Sequence, residues 1–225
     1  MATVLLVRHG RTTANASGVL AGRTPGVLLD DVGHSQAEAT AARLKALPLA
    51  GIITSPMERC VQTAEALLSS RPESTQVVDE RLTECGYGSW QGRPLAELAK
   101  EELWKVVQRH PSAAHFPDGE SLLDMQSRAV AAIREHDASF GDDDVWVAVS
   151  HGDVIKSILT DALGLHLDLF QRIHVHPASV SIIKYGKHRP DVLAMNTSAG
   201  DLSWLAAARD ADAPVGGGAG PSTNS

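Results

Sequence analysis

Two histidines, each followed by glycine, close two apolar runs of this sequence. Val4-Leu5-Leu6-Val7 leads into Arg8-His9-Gly10-Arg11-Thr12, and Val145-Trp146-Val147-Ala148-Val149 leads into Ser150-His151-Gly152. A third run, Gly51-Ile52-Ile53, leads into Ser55-Pro56-Met57-Glu58 and then Arg59. If the three runs are parallel strands of one sheet, their carboxyl ends share the edge where open α/β folds bind ligands. Two imidazoles, two or three guanidiniums and the free N–H groups of the following helices then meet in one crevice. Such a crevice suits a phosphate, which carries about −1.5 to −2 charges near neutral pH. Arginine meets it with a planar fork of donors, and helix N-termini add unpaired N–H groups and a favourable dipole. Gly10 and Gly152 would let the backbone turn sharply or approach the ligand closely. Each residue also has a plainer reading: a lone His after a strand is commonly structural, and a lone Arg on a first helical turn is commonly a solvated charge. Two X-His-Gly turns with an arginine-bearing helix between them argue for a site.

The elements that must position these groups follow from periodicity. The three runs read as buried strands, and Val77-Val78 as a further short one. Ala37, Ala41 and Leu44 recur at helical spacing from Asp31 to Leu47, where Pro48 ends the helix. Ser55-Pro56-Met57-Glu58 reads as a capping box opening a helix to about Ser69, with Ser55 at N-cap and Pro56 at N1. One helix is expected over Pro94–Arg109. A second is capped by Ser121 with Leu122, Met125, Ala129, Ala132 and Ile133 inward, and a third runs from Asp153 to Leu163. Ser179–Tyr185 and Val192–Asn196 around Gly186 and Pro190 read as a β-hairpin. The fold class is therefore α/β, a three-layer sandwich with a mostly parallel sheet. It occupies one domain over 1–208, and the glycine-rich 209–225 stretch is read as a disordered tail.

Composition narrows the function. In 225 residues, 20 Lys+Arg stand against 27 Asp+Glu, a net charge of −7, so the basic excess of a nucleic-acid binder is missing. No apolar run reaches the roughly 18 residues of a membrane span, and the first residues lack the basic start of a secretion signal. A cytoplasmic protein with no membrane or nucleic-acid partner is expected. Two cysteines make no disulfide framework. Cys60 and Cys85 also fail the Cys-x5-Arg spacing of cysteine phosphatases, since Ala66 and Gln91 stand six residues on. His174-x-His176 has no partner at metal-ligand spacing and reads as structural.

Five segments in order resemble the histidine phosphatase superfamily, which includes the cofactor-dependent phosphoglycerate mutases. They are Arg8-His9-Gly10-Arg11-Thr12-Thr13-Ala14-Asn15, Leu29–Ala37, Ser55–Ala64, Leu82-Thr83-Glu84 through Gly92, and Ser150-His151-Gly152. Within it the look is closest to phosphomutases or phosphatases of actinobacterial type. The resemblance covers roughly residues 3–200 and implies a phosphoglycerate mutase-like fold. It implies that His9 is the nucleophile forming a phosphohistidine, that Glu84 is the general acid, and that His151 assists catalysis. Arg8, Arg59, Asn15, His151 and Gly152 would bind phosphate, while Arg11 holds a variable position. Glu120 and Ser121 echo a loop that rims the pocket, although Ser121 with Asp124 is equally a capping box. The arginines supply the charge, so no metal and no cofactor are expected. The partner is a small phosphorylated substrate, its leaving group lined by Trp90, Trp104 and Phe116. Dimers are common among such proteins, which makes a homodimer an expectation. The glycolytic mutases carry a long insertion and a Glu-Arg-His-Tyr-like segment where this chain has Glu84-Cys85-Gly86-Tyr87. Hydrolysis is therefore expected over mutase activity, with a non-catalytic phosphate-binding module as a further alternative.

Overall fold

The computed structural model describes residues 2–71, 76–200, 202 and 205; the 209–225 stretch read as a tail lies outside the described residues. Strand β1 (Thr3–Arg8) shows why the first apolar run is uninterrupted. Val4 and Leu6 point into one core and Leu5 and Val7 into another, so both faces of the strand are covered. The first core is closed by α6 (Leu122–Ser139) and α7 (Gly152–Ala162), the second by α2 (Asp31–Leu44) and α3 (Glu58–Leu68). This is the three-layer sandwich. Its sheet also holds β2 (Leu49–Thr54), β3 (Gln76–Val78), β4 (Val145–Ser150), β5 (Val180–Tyr185) and β6 (Pro190–Thr197), in the order β3-β2-β4-β1-β5-β6. The first four strands in that order run parallel; β5 pairs antiparallel to β1, and β6 completes the expected hairpin by pairing antiparallel to β5 at the sheet edge. Register places Arg8 beside Ser150 and Thr54 beside Val149. His9, Ser55 and His151 are thus the next residues off three adjacent strand ends.

Two helical expectations need correction. Ser55 does not cap α3: the helix begins at Glu58 with Met57 at N-cap and no side-chain cap. The Ser55 hydroxyl lies instead 2.7 Å from the His151 ring. Glu58 does not close the box either, because its carboxylate accepts from the Gly26 amide at 2.9 Å. The expected Pro94–Arg109 helix breaks in two, α4 (Leu95–Leu98) and α5 (Glu102–Arg109), because the chain is extended at Glu101. A short helix α1 (Thr13–Ser17) follows the first site loop, capped by Thr12 and Asn15 reciprocally. The α6 expectation holds, with Ser121 accepting from the Asp124 amide.

The loop after β1 is seated by backbone contact. A Cβ on Gly10 would stand 2.4 Å from the Gly33 carbonyl oxygen, and one on Gly33 only 2.0 Å from that of Arg11. Gly10 therefore serves a close approach to α2, not to a ligand. Asp30, the N-cap of α2, accepts from the Gly33 amide at 2.8 Å and from Arg11 Nε at 2.7 Å, which keeps Arg11 turned away from the site. Gly33→Ala should force these backbones apart and lower stability by about 2–3 kcal/mol, or some 5–10 °C in Tm for a chain of this size. An unchanged thermal unfolding curve would contradict that packing.

Candidate active site

The three strand ends converge. The His9 and His151 rings sit 5.3 Å apart, centroid to centroid, in an edge-to-face arrangement. Both are buried, with Arg59 buried between β2 and the site from the first turn of α3. His9 Nδ1 is 2.7 Å from the Gly10 carbonyl. A carbonyl can only accept, so Nδ1 carries the proton and Nε2 keeps its lone pair. Burial, with Arg8 and Arg59 adding to it, holds the His9 pKa well below the usual imidazole value. The ring is neutral at pH 7.

His151 is fixed from two sides: Ser55 Oγ lies 2.7 Å from its Nε2, and Arg59 Nη2 donates to its Nδ1 at 3.2 Å. A guanidinium only donates, so the ring proton is on Nε2 and points to Ser55. Burial first and Arg59 second depress this pKa also. Arg8 donates through Nη1 to the Val175 carbonyl at 2.7 Å, and Arg59 through Nη2 to the Gly22 carbonyl at 2.7 Å. Each arginine keeps one buried nitrogen with no hydrogen-bond partner among the described residues, Arg8 Nε and Arg59 Nη1. Leaving such a donor unpaired costs on the order of 1–3 kcal/mol.

Glu84 faces the same cleft, its Oε2 3.9 Å from His151 Nδ1 and its Oε1 accepting from the Cys85 amide at 3.0 Å. Burial and then the nearby Asp153 carboxylate push its pKa up to about 7. Cys60 lies behind His151, its Sγ 3.5 Å from Nε2, with a thiol pushed by burial up to about 12.

The cleft holds about 430 Å³ and is lined by every proposed site residue except the most deeply placed: Arg8, His9, Asn15, Arg59, Glu84 and Gly152 are there, with His151 just beneath. Asn15 spends its carbonyl on the Thr12 amide and hydroxyl, which leaves its amide nitrogen for a ligand. Trp90, Trp104 and Phe116 form an apolar wall, the two tryptophans stacked at 6.2 Å. Glu120 and Ser121 do not line it: Ser121 caps α6, and Glu120 pairs with Arg23 and Arg128.

Sequence reasoning missed the outer polar wall. Asp153 and Lys156 share one face of α7, where Lys156 Nζ lies 3.3 Å from Asp153 Oδ1 and 3.1 Å from Gln171. The Tyr87 hydroxyl donates to Asp153 at 2.8 Å. The i, i+3 spacing of Asp153 and Lys156, directly after His151-Gly152, was the available signal. His174 and His176 also line the cleft, their rings stacked with centroids 6.4 Å apart. No group of three or more His, Cys, Asp and Glu side chains among the described residues could hold a metal. No helix among them is long and apolar enough to cross a membrane.

Residues 4–198 match the family described as "Histidine phosphatase superfamily (branch 1)". The chain is 31% identical to "Probable phosphoglycerate mutase GpmB" of Yersinia pestis over 187 residues, 82% of this chain and 86% of that one. Among solved structures it is similar to YhfR of Bacillus stearothermophilus, at 26% identity and TM-score 0.81, covering 91% of this chain and 100% of the other. It is also similar to a mycobacterial glucosyl-3-phosphoglycerate phosphatase solved with VO3. There the identity is 26% and the TM-score 0.78, with coverage of 86% and 98%.

Proposed function

The chain belongs to the histidine phosphatase superfamily, and from that premise we propose that it hydrolyses small phosphomonoesters through a phosphohistidine on His9. The observation that carries this reading is the pair of buried, unpartnered guanidinium N–H groups beside a neutral imidazole whose Nε2 lone pair is free. A phosphoryl group seated there satisfies Arg8 Nε and Arg59 Nη1, and the amide of Asn15 and the N-terminus of α7 at Gly152 add donors. Its negative charge also favours proton uptake by His151, which then stabilises the transferring oxygens.

In the first step His9 Nε2 forms a bond to phosphorus as the ester P–O bond breaks, and Glu84 gives its proton to the leaving oxygen. In the second, the Glu84 carboxylate takes a proton from water, whose oxygen attacks phosphorus and displaces His9. Inorganic phosphate leaves and Glu84 is again protonated. A carboxyl group with a pKa of about 7 can do both jobs at neutral pH.

The outer wall favours hydrolysis over the mutase reaction. Phosphoglycerates carry a carboxylate beside the phosphate. Among the described residues lining the cleft, the cations are Arg8 and Arg59 at the phosphoryl end and Lys156, which is already paired with Asp153. A leaving group without charge meets this wall better than a carboxylate does.

Purified protein should release phosphate from alkyl and aryl phosphates in excess chelator, and faster than it interconverts phosphoglycerates. For alkyl phosphates kcat/KM should fall as pH rises through about 7, where Glu84 loses its proton. Asp153→Asn removes a charge that raises the Glu84 pKa, so the fall should move to lower pH. Mutase turnover exceeding hydrolysis, or strict dependence on a divalent metal, would overturn the reading.

A further inference from the structure

Among the described residues no arginine or lysine bonds the Glu84 carboxyl, but two arginines bond its backbone. Arg23 Nε donates to the Glu84 carbonyl at 2.8 Å and Arg128 Nη2 donates to the same oxygen at 3.1 Å. Arg128 Nη1 donates to the carbonyl of Arg81, three residues earlier, at 2.6 Å. Glu120 ties the two guanidiniums together. It accepts from Arg128 Nε at 2.6 Å on Oε1, and on Oε2 from Arg128 Nη2 at 2.9 Å and Arg23 Nη2 at 2.8 Å. Glu120 also grips the chain just past the acid. Its Oε2 accepts from the Gly86 amide at 3.1 Å, and its own amide donates to the Gly86 carbonyl at 2.7 Å. None of the three side chains lines the cleft.

We infer that Arg23, Arg128 and Glu120 are positioning residues for Glu84, a clamp on the backbone of residues 81–86 that sets where the acid's proton is delivered. The inference rests on Glu84 being the acid of the proposed reaction. The arrangement solves a specific problem. The segment from Thr83 to Tyr87 lies between two 3₁₀ turns, Glu80–Leu82 and Gly88–Trp90, so no regular ladder fixes it. An arginine bonded directly to the Glu84 carboxyl would fix it, but would also favour the ionised form and spoil the acid. Directing both guanidiniums at the carbonyl, with Glu120 offsetting part of their charge, holds the residue and leaves its carboxyl able to keep a proton. Arg128 and Glu120 are mostly buried, at 19% and 16% side-chain exposure, so their bonds are shielded from solvent more than a surface pair would be.

The test uses leaving groups. kcat/KM covers only the steps through departure of the alcohol. An alkyl phosphate needs its leaving oxygen protonated, whereas 4-nitrophenyl phosphate expels 4-nitrophenolate, a stabilised anion. Arg128→Lys, Arg23→Met and Glu120→Gln should each lower kcat/KM for an alkyl phosphate by about 10- to 100-fold, the usual effect of a displaced catalytic group. For 4-nitrophenyl phosphate they should change it by less than about threefold. In a Glu84→Gln background the same changes should cost little more, since the group they position is gone. Equal losses on both esters would show a merely structural role and overturn the inference, as would no loss on either. If the wild type hydrolyses neither ester, the proposed reaction itself fails. If the wild type and Glu84→Gln behave as expected and the clamp variants do not discriminate, only the clamp fails. Arg23 is 39% exposed, so its variant tests the clamp even where a change at Arg128 prevents folding.

Discussion

His9→Ala is expected to lower phosphomonoester hydrolysis by about 10⁴-fold or more, the scale seen when a covalent nucleophile is removed from a site that keeps its other parts. The loss should be deep because no neighbour can take over. Cys60 is closest in kind, yet burial pushes its thiol up to about 12 and it sits behind the His151 ring. Cys85 is pushed up by burial as well. The Ser55 hydroxyl is held by His151 and accepts from the Met57 amide at 3.3 Å. His151 turns its protonated Nε2 away to Ser55, and its Nδ1 accepts from Arg59. Phosphate affinity should survive in His9→Ala, because Arg8, Arg59 and Asn15 are untouched. Isothermal titration with inorganic phosphate beside a hydrolysis assay separates the two. Activity within tenfold of wild type would remove His9 from the chemistry.

Glu84→Gln should cost about 10²- to 10⁴-fold on alkyl phosphates, the range of a positioned acid and base. Its effect on stability should have the opposite sign. The carboxyl titrates near 4.5 when unfolded and at about 7 when folded. Between those values the unfolded chain has released a proton that the folded protein still holds, so stability falls as pH rises through that window. Gln has the same shape and no such penalty. Glu84→Gln should therefore unfold several degrees higher than wild type at pH 8, by at most about 3 kcal/mol. At pH 4, where both states keep the proton, this advantage should vanish. A variant less stable than wild type at pH 8 would show that the carboxylate is better accommodated than its surroundings imply.

The residues that sit directly off strand ends were legible in the sequence. A run as short, apolar and β-branched as Val145–Val149 reads as a strand buried on both faces, and the register of β1 with β4 then brings His9 and His151 together. Ser55 misled because Ser-Pro-x-Glu satisfies the local rule for a helix start. Its hydroxyl was claimed instead by an imidazole 96 residues away. The same physics hid the outer wall and the clamp. Arg23 and Glu120 stand 97 residues apart, and neither lies on a periodic face that would betray a partner. His174 and His176 follow no strand and open no helix, so only the folded chain shows that they edge the cleft.

In the proposed reaction the phosphoryl group passes through one nitrogen, His9 Nε2. Glu84→Gln mixed rapidly with 4-nitrophenyl phosphate should release one equivalent of 4-nitrophenol per site in a burst, because this leaving group needs no acid while the following attack by water lacks its base. Quenching in alkali and peptide mass spectrometry should then find the phosphoryl group on His9, with ³¹P NMR placing it on Nε2, and none in Glu84→Gln/His9→Ala. A phosphoryl group on another residue, or steady turnover with neither burst nor phosphoprotein, would contradict the central claim.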